Sequence, residues 1–150
     1  MIRTATVDDL PALFALQHLA FQSEAELYPE TVISPMRQTL PELESEFSQF
    51  ETLIAEEDGK LIGSVRGQMV SECGEIGRLM VRPEWRGRGL GRRLVQEMEL
   101  ALGVQTFRLF TGERSLSNLR LYESLGYVRG GQFASGPISL VELTKTGVVV

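Results

Sequence analysis

Residues 81–93 read Val81-Arg82-Pro83-Glu84-Trp85-Arg86-Gly87-Arg88-Gly89-Leu90-Gly91-Arg92-Arg93, with three glycines and five arginines in thirteen residues. Glu75 to Val81, just upstream, predicts a strand. Downstream, Leu90, Leu94, Met98 and Leu102 recur at i, i+4, i+8 and i+12, the apolar stripe of a helix that Gly103 stops. Strand, glycine turn and helix must therefore follow one another directly. Glycine lets a backbone turn tightly and approach a ligand without a Cβ in the way. The helix start adds unpaired N–H groups and the positive end of a dipole, so the segment suits an anion such as a pyrophosphate. The alternative is a glycine turn with a solvated basic face. The segment lacks the Gly-Lys-Ser/Thr ending of a nucleotide P-loop. Its Gly-x-Gly-x-Gly spacing also differs from the Gly-x-Gly-x-x-Gly of dinucleotide folds.

Charge limits what the arginines can mean. Fifteen basic residues stand against 20 acidic ones, a net charge of −5, so neither a nucleic-acid nor an anionic-membrane partner is expected. The arginine cluster also lacks the aromatic interleaving of single-strand binders. One cysteine, Cys73, excludes an intrachain disulfide, and one histidine, His18, leaves no multi-His site, so no metal is expected. Met1 to Phe14 carries no long apolar run after its basic start, and no stretch is long enough to span a bilayer. A cytoplasmic chain of 150 residues folding as a single domain, 1–150, is the expectation.

The remaining elements follow from periodicity and punctuation. Ile2 to Thr6 alternates as a strand; Asp8 or Asp9 can cap a helix to about Gln22, with Pro11 in its first turn. Residues 23–38, with Tyr28-Pro29 and Ser34-Pro35, are expected to be loop. Thr39-Leu40-Pro41-Glu42 has capping-box spacing for a helix over about 41–49. Thr52 to Glu56, Asp58-Gly59 and Leu61 to Met69 form a β-hairpin pattern. Thr106 to Thr111 is a further strand. Ser117 can cap a helix over 118–125 ended by Gly126, and Tyr127 to Phe133 and Ile138 to Lys145 complete the strands. The order is mixed α/β (α+β), with about seven strands in a mostly antiparallel sheet interrupted by helices.

Arg86-x-x-Gly89-x-Gly91, set between a strand and a helix, resembles the acetyl-CoA signature of the GNAT superfamily of N-acetyltransferases. Asn118-Leu119-Arg120-Leu121-Tyr122-Glu123-Ser124-Leu125-Gly126-Tyr127 resembles that superfamily's Asn…Tyr-x-x-x-Gly-Phe/Tyr segment, and Ile2 to Asp9 its opening. The tight match covers about Glu75 to Val128. The resemblance implies a strongly bent central sheet with helices on both faces. The fourth and fifth strands would splay into a slot for the pantetheine arm of acetyl-CoA. Backbone groups of Leu79, Met80 and Val81 would pair with that arm, and amides of Arg86, Gly87, Arg88, Gly89, Leu90, Gly91 and Arg92 would hold the pyrophosphate.

The implied reaction is direct acetyl transfer to an amine of a small molecule or peptide. Tyr122 would act as general acid toward the leaving thiolate, or simply pack. Asn118 would position the arm, or simply cap its helix. An N–H near Met80 would polarise the carbonyl. Glu75 would be the base, or an exposed edge carboxylate. His18 reads as structural, Trp85 as packing, and Cys73 carries no nucleophile role. Ten acidic residues between 22 and 60 would form an acidic wall favouring a cationic acceptor, or a solvated face. A non-catalytic acyl-CoA sensor is the alternative function. Gly147-Val148-Val149-Val150 could pair across a homodimer, or fray.

Overall fold

In the computed structural model, residues 1–147 are described. The valine run 148–150, for which pairing across a dimer and fraying are the two expectations, lies outside them. The first strand, β1 (Ile2–Thr4), is shorter than expected because Thr6 already caps a 3₁₀ turn over Val7–Asp9. Helix α1 (Leu10–Ala20) follows. Asp9 does not cap it: both carboxylate oxygens accept from Arg3 at 2.9 Å, and one also takes the Thr6 N–H.

Residues 23–38 depart from the loop expectation. They contain α2 (Gln22–Leu27) and α3 (Ser34–Arg37). Gln, Glu, Ala and Leu before Tyr28 are good helix formers, and the prolines act only after them or at the helix start. Helix α4 (Leu40–Glu46) carries the capping box: Glu42 N–H donates to Thr39 Oγ1 at 3.3 Å and Thr39 N–H to Glu42 Oε1 at 2.9 Å.

Next come β2 (Glu51–Glu57), β3 (Lys60–Val70), β4 (Cys73–Val81), α5 (Leu90–Leu102), β5 (Thr106–Gly112), α6 (Leu116–Ser124), β6 (Val128–Ser135) and β7 (Ile138–Thr146). Asp58 and Gly59 both take positive φ, 50° and 76°, the turn that the β2–β3 hairpin needs. The strands form one seven-stranded sheet ordered β1-β2-β3-β4-β5-β7-β6. Its pairings are antiparallel except β4–β5, which is parallel.

Each face of the sheet has its own core. Leu94, Val95 and Met98 of α5 and Leu119 and Tyr122 of α6 pack with Val65, Ile76, Leu109 and Leu143. Leu10, Leu13 and Leu16 of α1 and Leu43 of α4 pack with Ile54, Leu61 and Met80 on the other. The alternation of β4 thus sends Met80 to one core and leaves its neighbours Leu79 and Val81 toward the other. Among the described residues, no helix is long and apolar enough to cross a membrane.

Candidate active site

The parallel pairing of β4 with β5 is confined to Gly74–Phe107 and Glu75–Arg108. Beyond Glu75 the strands part, because β5 stays in register with β7 along its whole length while β4 is diverted. The diversion is a bulge. Ser64 pairs with Met80 and Arg66 with Gly77, so β4 fits one extra residue into that interval. Arg78, inside it, has φ 48°. The result is a slot between the splayed ends of β4 and β5.

Backbone direction assigns the groups facing that slot. Arg82 N–H donates to Ile62 C=O at 2.8 Å, which makes 82 and 62 a hydrogen-bonded pair. Antiparallel alternation then gives Met80 to Ser64 and turns the amides of Leu79 and Val81 away from β3, toward the slot. Of the expected trio, Leu79 and Val81 line the cavity there, whereas Met80 is buried in the opposite core. The free N–H groups near Met80 are therefore those of its neighbours.

That cavity, about 470 Å³, runs from Leu79 and Val81 to the glycine turn and α6. Gly87 and Gly89 take φ 75° and 81°, and a Cβ on either would meet nothing within 4 Å. The glycines are therefore needed for conformation and leave an unobstructed cradle. Gly89 opens α5, and the first amide satisfied within the helix is that of Arg93, bonded to Gly89 C=O. The amides of Leu90, Gly91 and Arg92 precede it and have no acceptor within the helix. The arginines differ in use. Arg86 reaches across to Ala20 C=O (2.7 Å) and Ser23 Oγ (3.1 Å), tying the α1–α2 junction to the turn. Arg92 bonds Ser124 Oγ, and Arg88 lies over the Trp85 ring at 4.7 Å, so Trp85 does pack.

A second cavity, about 420 Å³, lies beside the first, and Phe21, Glu24, Leu79 and Asn118 line both. Tyr122 lines the second. Only 6% of Tyr122 is exposed, yet its hydroxyl makes no protein hydrogen bond among the described residues and is not sealed from the cavity. Burial, and then the charge of Glu24, push its phenol well above the usual tyrosine range, so it keeps its proton. Its ring meets Tyr127 edge-on at 6.2 Å.

Glu24 went unsingled among ten acidic residues of the sequence, yet it stands where the cavities join. One oxygen accepts from the Ser115 hydroxyl and the other faces Asn118 Nδ2 at 3.5 Å. Ser115, not Ser117, occupies the cap position of α6, with its hydroxyl turned to Glu24. Asn118 sits inside the first turn of α6 rather than at its cap. Glu75 lies elsewhere: at the closed end of the slot it pairs with Arg108 at 3.0 Å, and it lines neither cavity. The acidic wall does not form. Glu30 pairs with Arg114, Glu46 with Arg66 and Glu56 with Arg3, Glu42 serves the α4 cap, and Glu24 alone of the ten lines the second cavity. His18 stacks edge-on against Phe14. No group of three or more His, Cys, Asp or Glu among the described residues is arranged to hold a metal.

The family model for the acetyltransferase (GNAT) domain matches residues 48–129, which span β2 to the start of β6. The chain belongs to the GNAT acetyltransferase family. Solved structures with the same GNAT fold align along almost the whole chain. One is the PaiA N-acetyltransferase of Thermoplasma acidophilum in complex with coenzyme A: 20% identity, 97% of this chain and 98% of that one, TM-score 0.79. The ribosomal-protein-S18-alanine N-acetyltransferase of Escherichia coli aligns with 19% identity over 100% and 96%, TM-score 0.75. The ribosomal-protein-alanine N-acetyltransferase of Brucella melitensis aligns with 23% identity over 97% and 99%, TM-score 0.75. At these identities the likeness is one of GNAT fold: the open, mostly antiparallel seven-stranded sheet described above.

Proposed function

We propose that this chain transfers the acetyl group of acetyl-CoA directly to the amine of a small molecule or peptide. One observation carries the reading: an unobstructed anion cradle and a second cavity meet at Glu24 and Asn118, beside a hydroxyl that stays protonated. The coenzyme A in the Thermoplasma relative supports the choice of donor. The cradle fits a pyrophosphate, with free amides of Leu90, Gly91 and Arg92 and no side chain in the way. Leu79 and Val81 amides would pair with the pantetheine arm as a strand neighbour does. Bound acetyl-CoA would supply an activated thioester.

The chain's own groups would then manage two protons. An alkylammonium has a pKa of about 10.4 and must lose a proton before it can attack. Glu24 would accept it, a role supported by its lining both cavities. Tyr122 would donate a proton to the departing thiolate, a step that needs a phenol protonated throughout the working range. An amide at Leu79 or Val81 would stabilise charge developing on the carbonyl oxygen. Glu75 would only hold the closed end of the slot through Arg108.

The test is thiol release from acetyl-CoA with pooled polyamines, aminoglycosides, amino acids and peptides. Release with one pool, reduced in Glu24→Gln, is the expected result. Tight acetyl-CoA binding without release from any pool would favour the sensor function instead.

A further inference from the structure

We infer that the acceptor is a small amino acid: an amine and an oxyanion on one short skeleton, with an apolar side chain. This rests on the acetyl-transfer reading and adds the substrate class. The acceptor-side cavity carries one carboxylate, Glu24, and two guanidiniums, Arg78 and the exposed Arg37. Neither arginine has a carboxylate within ion-pair reach among the described residues. Arg78 is half-buried and holds only neutral acceptors, Gln38 Oε1 at 3.1 Å and Ser34 Oγ at 3.4 Å. The Arg66 cation and then the Glu46 carboxylate act on it electrostatically, and Glu46 is already engaged by Arg66 and Gln38. A guanidinium has donors to spare beyond these two contacts. A partly desolvated cation with no ion-paired carboxylate of its own is stabilised when a ligand supplies one.

Its backbone makes the same point. Arg78 takes φ 48° in the β4 bulge, a conformation that glycine or asparagine accepts more readily. The bulge alone gives no reason for an arginine there. Arg78 lines the same cavity as Leu79, Glu24 and Tyr122. Glu24 and Arg78 line one cavity of about 420 Å³, a volume suited to a small molecule. Val32, Ile33, Phe110 and Leu140 supply an apolar wall for a side chain. A polyamine would set its second ammonium against Arg78 and Arg37, and among the described residues no second carboxylate lines the cavity to receive it.

The experiment compares leucine with leucinamide, the phosphonate and phosphinate analogues of leucine, spermidine and a leucine-initiated tripeptide. Two readouts are taken: thiol release, and calorimetric titration with coenzyme A present. The expected kcat/KM for leucine exceeds that for leucinamide by about 10- to 100-fold, the range for a charge-assisted hydrogen-bonded pair. The phosphonate and phosphinate report whether any oxyanion serves or carboxylate alone. In Arg78→Gln the acid-over-amide preference falls to about twofold, while Arg78→Lys, which keeps the charge, retains part of it. Leucinamide equal to leucine, or spermidine or the tripeptide as the best acceptor, overturns the inference. If no compound of this set releases thiol, release with the wider amine pools decides acetyl transfer separately. Calorimetry then still decides the inference: binding of leucine and not leucinamide supports it, and equal binding refutes it.

Discussion

Replacing Tyr122 with phenylalanine removes one hydroxyl and leaves the ring. That ring belongs to the core beside Leu119 and Leu125 and meets Tyr127 edge-on, so packing is kept. Among the described residues the hydroxyl bonds to no protein group, so no partner is orphaned, and the expected change in stability is within about 1 kcal/mol. The effect on chemistry is expected to be far larger. Loss of a positioned general acid lowers rates by about 10²- to 10⁴-fold. At ~1.36 kcal/mol per decade that is about 2.7–5.5 kcal/mol of transition-state stabilisation. Steady-state thiol release should show the loss in kcat, with KM for acetyl-CoA little changed, since Tyr122 does not line the cradle cavity.

A second readout tests the buried neutral phenol itself. Burial and the Glu24 charge raise its folded pKa above the unfolded value of about 10. Above that pH the unfolded chain ionises while the folded one does not, so stability falls as pH rises. Tyr122→Phe lacks this linkage and should lose less stability per pH unit above pH ~10 in denaturant titrations. A variant that keeps more than about a third of wild-type kcat, with unchanged stability, would refute the acid role and leave packing.

Gly89→Ala places no atom in contact, so its cost is the backbone alone at φ 81°, about 1–2 kcal/mol. It should lower Tm and raise KM for acetyl-CoA while kcat survives. Glu75→Gln breaks a partly exposed pair with Arg108, and stability should move by less than about 1 kcal/mol. Its kcat should stay at wild type; a fall of a hundredfold or more, about the least expected from losing a general base, would restore Glu75 as the base. Asp9 is held down to about 2, chiefly by its hydrogen bonds to Arg3. The stability it contributes is therefore full above its unfolded pKa of about 3.9 and is lost as pH falls toward 2. Thermal melts of wild type and Asp9→Asn should differ at pH 5 and converge as pH approaches 2.

What could be read along the chain was whatever rests on neighbours in sequence. The stripe of α5, the Asp58-Gly59 turn and the Thr39–Glu42 capping box depend on residues a few positions apart, and each forms where expected. The glycine turn and the Asn118–Tyr122 segment were legible for the same reason, because a helix start and one helical turn are local. The errors of local reading were local too: Tyr28-Pro29 and Ser34-Pro35 suggested one long loop, although the residues between those breaks could still turn as helices.

Tertiary structure decided the rest. Glu24 meets Ser115 and Asn118 across 91 and 94 residues of chain, and nothing in its own neighbourhood distinguishes it from nine other acidic side chains. Partners elsewhere in the fold drew Glu30, Glu46 and Glu56 away from the cavity and Glu75 to Arg108. The slot exists because β4 bulges at Arg78 while β5 keeps its register with β7, a competition between two strand pairings. Helical periods and turns are set by backbone sterics over a few residues, whereas charges are matched only when distant segments pack together.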